Sequence, residues 1–230
     1  MSLICTPPTN PLALLGGTFD PVHFGHLRIA SETAAALKLP EVRLIPSKTP
    51  VHRARPRASE AQRLAMLKLA VADVPGLAAD DRELMRDTPS YTVLTLASLR
   101  AEFQHRPLIW LIGIDAFIHI NQWHEWPRLF DLAHFVVLNR PGFAVSQVLS
   151  PVLTEVWQGR LTRTTDTLHE TTHGSIYLHT VTPQAISATE IRNTIAAGED
   201  DTALESLLPA PVLAYIRAHQ LYLPENSPAL

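Results

Sequence analysis

Leu14-Leu15-Gly16-Gly17-Thr18-Phe19-Asp20-Pro21-Val22-His23-Phe24-Gly25-His26-Leu27 decides the fold and much of the chemistry of this chain. The apolar run Leu12–Leu15 has strand length, and Leu27, Ala30, Ala34 and Leu37 then recur at helical spacing. Between them lie two glycines, a polar turn and the pattern His-x-Gly-His. A strand that turns directly into a helix aims the unpaired N–H groups of the first helical turn at the strand's end, where an anion can be held. Gly16 and Gly17 allow a ligand close to the backbone. His23 and His26, three residues apart, fall on one side of that turn, and both can donate hydrogen bonds towards it. Singly, a glycine pair is a turn and a histidine an ordinary polar side chain. In this order they read as a phosphate site carrying two imidazoles.

Further along, apolar runs alternate with helical patterns. Val42–Ile45 reads as a second strand and the segment around Ala61–Val71 as a helix, with Leu64, Leu67 and Val71 on one face. Leu77–Ala79 is a short strand candidate and Val93–Phe103 a helix. Leu108–Ile112, Phe135–Leu138 and Ile176–Val181 complete the strands. The fold class expected is α/β: a Rossmann-like, doubly wound parallel sheet with a small C-terminal helical segment. Residues 1–230 are expected to form one domain, with two short helices over about 200–223 and a tail at 224–230. In such sheets ligands bind beyond the carboxyl ends of the strands, where Gly16–Asp20 would sit.

The bulk composition narrows the function classes. The 230 residues are 46% hydrophobic and 18% charged, with a net charge of −3, so no global electrostatic footprint for nucleic acid exists. Cys5 is the only cysteine, which excludes an internal disulfide framework and any cysteine-built metal site. Met1–Asn10 has neither a basic n-region nor a long apolar core, and no segment reads as a membrane span, so a cytoplasmic protein is expected.

Other segments carry chemistry of their own. Ile186-Ser187-Ala188-Thr189-Glu190-Ile191-Arg192 follows the last strand. Ser187 and Glu190 have capping-box spacing, whereas Arg192 would add a fixed cation near the positive end of a helix. Ser47–Arg57 is a basic loop bounded by prolines, which reads either as a solvated surface loop or as an anion contact. Ser90-Tyr91-Thr92 precedes a helix, and Trp123-His124-Glu125-Trp126 lies on the next helical segment, where tryptophans are ordinarily core. His169-Glu170-Thr171-Thr172-His173 fits the zincin pattern, but that pattern binds zinc only on a helix. Its Thr-rich flank and the following Gly174 make it a surface loop, and no metal ligand is read there.

The opening stretch resembles the signature of the His-x-Gly-His nucleotidyltransferase superfamily, and Gly-Gly-Thr-Phe-Asp-Pro-Val-His resembles the form found in bacterial nicotinate-mononucleotide adenylyltransferases. The resemblance runs from Leu12 to Tyr222. It implies adenylyl transfer from ATP to nicotinate mononucleotide, giving deamido-NAD and pyrophosphate. It also implies that His23, His26 and Arg192 are catalytic. ATP would be bound by Gly16, Gly17, Thr18, Phe19, His23, His26, Gly113, Asp115, Arg140, Ile186, Ser187, Thr189 and Arg192. The mononucleotide would be bound by His52, Arg53, Tyr91, Thr92, Trp123 and His124, with Trp123 stacking on the pyridine ring. Many members carry Ser where Ala188 stands and a second Pro where Val51 stands. Mg²⁺ is expected to arrive mainly on the ATP phosphates. The partners implied are small molecules, with no nucleic acid or membrane, and oligomeric state is not legible. A sister enzyme acting on phosphopantetheine or nicotinamide mononucleotide, and a non-catalytic nucleotide-binding module, are the alternatives.

Overall fold

A computed structural model describes residues 10–48 and 55–224. In chain order the elements are β1 (Leu12–Gly17), α1 (Phe24–Ala36), β2 (Glu41–Pro46), α2 (Glu60–Val71), β3 (Leu77–Ala79), α3 (Thr92–Glu102), β4 (Leu108–Gly113), α4 (Ile114–Phe117), α5 (Trp126–Leu129), β5 (His134–Asn139), α6 (Pro151–Arg160), β6 (Leu161–Thr162), α7 (Thr167–Glu170), β7 (Ile176–Thr180), α8 (Ala188–Ala196), α9 (Asp201–Glu205) and α10 (Ala210–Ala218). Among the described residues the strands form one sheet in the order β3-β2-β1-β4-β5-β7-β6, and every pairing is parallel. The order reverses between β1 and β4, which opens a crevice at their carboxyl ends.

The continuous apolar runs conceal a period of two, because both faces of the sheet are covered. Ala13, Ile109, Leu111 and Val136 point into a core shared with Leu27 and Ala30 of α1, Met66 and Leu67 of α2, and Ile191 and Ile195 of α8. Their neighbours Leu12, Leu14, Leu108, Trp110, Ile112, Phe135 and Val137 face the other core, with Leu96 and Leu99 of α3 and Leu153 and Trp157 of α6. Alternate residues of one strand therefore feed two separate cores, and helices lie on both sides.

One side chain ties together the amino ends of three strands. The guanidinium of Arg100, near the end of α3, donates to the carbonyls of Phe103, Gln104 and Arg106 ahead of β4. It also reaches Leu132 ahead of β5 and Thr172 ahead of β7.

Several local expectations need correction. The buried stripe of α2 runs through Arg63, Met66, Leu67, Ala70 and Val71, so Arg63 holds the place given to Leu64. Ser187 sits at the N-cap of α8, yet its side chain makes no capping hydrogen bond, and the capping box with Glu190 does not form. Trp123 is not on a helix. It terminates a short 3₁₀ turn, Ile120–Gln122, and α5 starts only after Glu125, whose φ of 50° is left-handed. The His-Glu-x-x-His segment is also not wholly loop: His169 and Glu170 end the four-residue α7, and His173 lies beyond it.

Candidate active site

The turn from β1 to α1 is built by contacts that only glycine permits. A Cβ at Gly16 would stand 2.7 Å from the Trp110 ring, and one at Gly17 would stand 2.8 Å from the Phe19 ring. Both aromatic side chains are buried, so neither can yield. At Gly25 a Cβ would meet Nδ1 of His23 at 2.9 Å and Ile186 at 3.5 Å. The central glycine of His-x-Gly-His thus lets the imidazole lie flat against the helix start and lets the segment before α8 close over it.

His23 is the N-cap residue of α1, 6% exposed, and its ring stacks on His26. Its Nδ1 is buried and has no hydrogen-bond partner among the described residues. Burial pushes its pKa down to about 4, so it is a neutral imidazole near neutral pH and donates a single N–H. The backbone N–H of His23 donates to Nδ1 of His26 at 3.3 Å. Nδ1 of His26 is therefore an acceptor, and in the neutral ring the proton belongs to Nε2. Phe19 packs edge-on against His26 with centroids 5.0 Å apart. With its ring 2% exposed, Phe19 offers a ligand only its backbone, which adopts a φ of 49°.

Beneath this turn lies a polar support that the sequence reading passed over. The buried carboxylate of Asp20 accepts from the N–H groups of Arg57 (2.8 Å) and Ala58 (3.1 Å) and from the hydroxyl of Tyr222 (2.8 Å). Arg63, 1% exposed, donates to the carbonyl of Thr18 at 2.8 Å and to that of Lys48 at 3.4 Å. Asp20 is inside the signature, so its place was visible although its task was not. Arg63 has no local signal for a buried role, and Tyr222 is too far away in sequence to suggest a partner.

Arg192 reaches the same turn from α8. Nη1 donates to the carbonyl of Asp20 at 2.6 Å, and Nη2 donates to Oγ1 of Thr189 at 3.1 Å. The two sequence elements are thereby joined, with Ile186 over Gly25 and the guanidinium beside the turn. At the carboxyl ends of β4 and β5, Asp115 and Arg140 form an exposed ion pair. Gly113 just before them faces open space, with nothing within 4 Å of a Cβ.

Of the third group of expected residues, Tyr91 and His124 stand together. The rings of Tyr91 and His124 are 4.4 Å apart and 30° from parallel, and Trp123 is half-buried against the second core. Thr92 is the first residue of α3. Tyr91 is the N-cap of α3, and Oγ of Ser90 accepts the N–H of Lys48 at 2.8 Å. Nζ of Lys48 in turn donates to the carbonyl of Arg86 at 2.6 Å, which fastens the chain after β2 to the approach to Tyr91. His52 and Arg53 lie outside the described residues. His169 uses Nε2 on the carbonyl of Leu37, and His173 pairs with Thr172, so the two imidazoles serve different partners.

An α/β sheet with a two-histidine turn at its switch point and an arginine helix opposite defines a class. Residues 14–194 match the cytidylyltransferase-like family model. An Aeromonas salmonicida protein named as a probable nicotinate-nucleotide adenylyltransferase is 46% identical over 92% of this chain and 97% of its own length. A protein of the same name from Chromohalobacter salexigens is 44% identical over 95% and 100%. The chain belongs to the nicotinate-nucleotide adenylyltransferase family, within the cytidylyltransferase-like class. A solved Plasmodium falciparum nicotinic acid mononucleotide adenylyltransferase, complexed with NaAD, shares the fold with a TM-score of 0.67 at 16% identity, covering 93% of this chain and 97% of that one.

Proposed function

We propose that this protein transfers the adenylyl group of ATP to nicotinate mononucleotide, releasing pyrophosphate and forming deamido-NAD, a step of NAD biosynthesis. The observation that carries the reading is the contact of Arg192 with the carbonyl of Asp20, which brings a cationic fork and two imidazoles to one turn. A phosphate oxygen of the mononucleotide attacks the α-phosphorus of ATP, and the bond from that phosphorus to the bridging oxygen of the β-phosphate breaks. A phosphate monoester is already a competent nucleophile near neutral pH, so the residues have to position and neutralise rather than abstract a proton.

His23 supplies one neutral N–H donor and His26 its Nε2 proton. Arg192 meets the triphosphate with a planar fork. Backbone groups of Gly16, Gly17, Thr18 and Phe19 line the turn, and Ile186, Ser187 and Thr189 line the α8 side. Gly113, Asp115 and Arg140 receive the adenosine end. Tyr91, Thr92, Trp123 and His124 receive the pyridine ring, with His52 and Arg53 on the mononucleotide phosphate.

The donor set at the turn suits a metal delivered by the nucleotide. The buried Asp20 carboxylate is engaged by three donors of the chain itself, and what remains are N–H groups suited to phosphate. When bound, Mg²⁺ neutralises charge on the transferring and leaving phosphates. Within the described residues no helix is long and apolar enough to cross a membrane, and the metabolic role we infer belongs to the cytoplasm.

The Tyr91–His124 pair beside Trp123 favours a flat aromatic acceptor over phosphopantetheine. The test is pyrophosphate release from ATP with nicotinate mononucleotide, nicotinamide mononucleotide and phosphopantetheine offered separately. The acid mononucleotide is expected to lead. A carboxylate only accepts hydrogen bonds, and a donor-lined site can reject the amide by up to about 10⁴ to 10⁵. Comparable kcat/KM for the acid and amide forms would remove the nicotinate assignment and leave adenylyl transfer in place.

A further inference from the structure

Tyr222 stands 202 residues from Asp20 in sequence, yet its hydroxyl donates to Oδ1 of that carboxylate at 2.8 Å, with both residues buried. It follows α10, whose Val212, Leu213 and Ile216 are packed into the first core. Arg57 holds this end of the chain in place by donating to the carbonyls of Tyr222 (3.4 Å) and Leu223 (3.1 Å). The same carboxylate takes the N–H groups of Arg57 and Ala58. Arg192 is left on the Asp20 carbonyl at 2.6 Å, while its Nη1 stops 3.9 Å from Oδ2.

We propose that Tyr222 and Asp20 are a positioning pair that sets Arg192 for the triphosphate. This rests on the adenylyl-transfer reading and extends it to the C-terminal segment. The phenol occupies Oδ1 and keeps the carboxylate satisfied without the guanidinium. Take the hydroxyl away and a buried carboxylate lacks one of its donors, which is costly. The cation poised beside the carboxylate is Arg192, whose Nη1 is one short movement from a full ion pair with Oδ2. That movement draws the cation off the triphosphate. Burial and the adjacent carboxylate raise the pKa of Tyr222, so the phenol remains a donor throughout the working pH range.

Tyr222→Phe keeps the ring in the core and deletes only the hydroxyl. The KM for ATP should rise about five- to twentyfold, the scale of one lost charge-assisted contact, while the KM for nicotinate mononucleotide changes less than about twofold. In an Arg192→Ala background the same substitution should have almost no further effect on ATP, because the group it acts through is gone. Calorimetric binding of ATP alone, which needs no acceptor and no turnover, should weaken by the same factor. That arm separates the positioning pair from the identity of the acceptor. Parental ATP affinity in a folded Tyr222→Phe protein would overturn the proposal. So would an equal rise in both KM values, or an undiminished effect in the Arg192→Ala background.

Discussion

The imidazoles of His23 and His26 are stacked with centroids 3.8 Å apart and planes 28° from parallel, and the backbone N–H of His23 fixes the tautomer of His26. Burial pushes the pKa of His23 down to about 4, so that ring is neutral near neutral pH. His26→Ala should lower kcat about 10²- to 10³-fold, the loss expected for one preorganised donor. The far-ultraviolet spectrum and Tm should be nearly unchanged. Parental turnover in that variant would remove His26 from the mechanism.

Gly25→Ala tests the geometry of the turn without touching a polar group. Alanine favours a helix over glycine by about 1 kcal/mol. Its Cβ, however, would stand 2.9 Å from Nδ1 of His23 and must displace that ring. We expect turnover to fall at least about tenfold, since small misplacements of catalytic groups are expensive. Tm should fall modestly, because displacing a buried ring costs about 1 to 3 kcal/mol and outweighs the helix gain. Unchanged kcat would mean that the ring has room to move without consequence.

His134 predicts how stability depends on pH. It is fully buried at the start of β5, with Nε2 bonded to the carbonyl of Thr171 at 2.8 Å and Nδ1 accepting the N–H of Ser175 at 3.1 Å. Desolvation first, offset in part by the Thr171 bond, brings its pKa from 6.5 to about 4. The unfolded chain therefore binds more protons between those values. Stability should be complete above about pH 6.5 and fall as pH drops towards 4, by up to about 3 kcal/mol for this group. His23 contributes in the same window. Tm measured against pH should show this slope, and His134→Gln should flatten it while lowering Tm overall. A slope unaltered by the substitution would assign the acid sensitivity to other groups.

The pair His169 and His173 should be dispensable for chemistry. Replacing both with alanine removes the bond to Leu37, worth about 1 kcal/mol, and should leave adenylyl transfer at the parental rate. Purified protein should carry no stoichiometric zinc. One zinc per chain that disappears with the substitutions would contradict the assignment of separate partners.

The parallel sheet was legible because its strands are apolar throughout and regularly separated by helical patterns. The turn at His23 was legible because glycine and histidine are informative at fixed spacing. The elements that escaped are those whose logic is tertiary. β6 is two residues long and exists only because β7 offers it an edge. The buried Arg63 disguised the true face of α2, since a cation reads as solvent-facing unless the carbonyls of Thr18 and Lys48 are known to await it. Ser187 carried a capping signal that the fold does not use. The link from Asp20 to Tyr222 spans nearly the whole chain, and no local pattern encodes it.

Arg100 divides the labour between the two ends of the sheet. It gathers the segments leading into β4, β5 and β7 at the end remote from Gly113 and Asn139. These strands thus share an anchorage at one end and present the crevice at the other. Loops on the far rim can then change length or composition from one relative to the next without loosening the strands that present them. Substitutions at Arg100 should accordingly register in unfolding measurements, whereas rim substitutions such as those at Asp115 or Arg140 should register in which nucleotide is used.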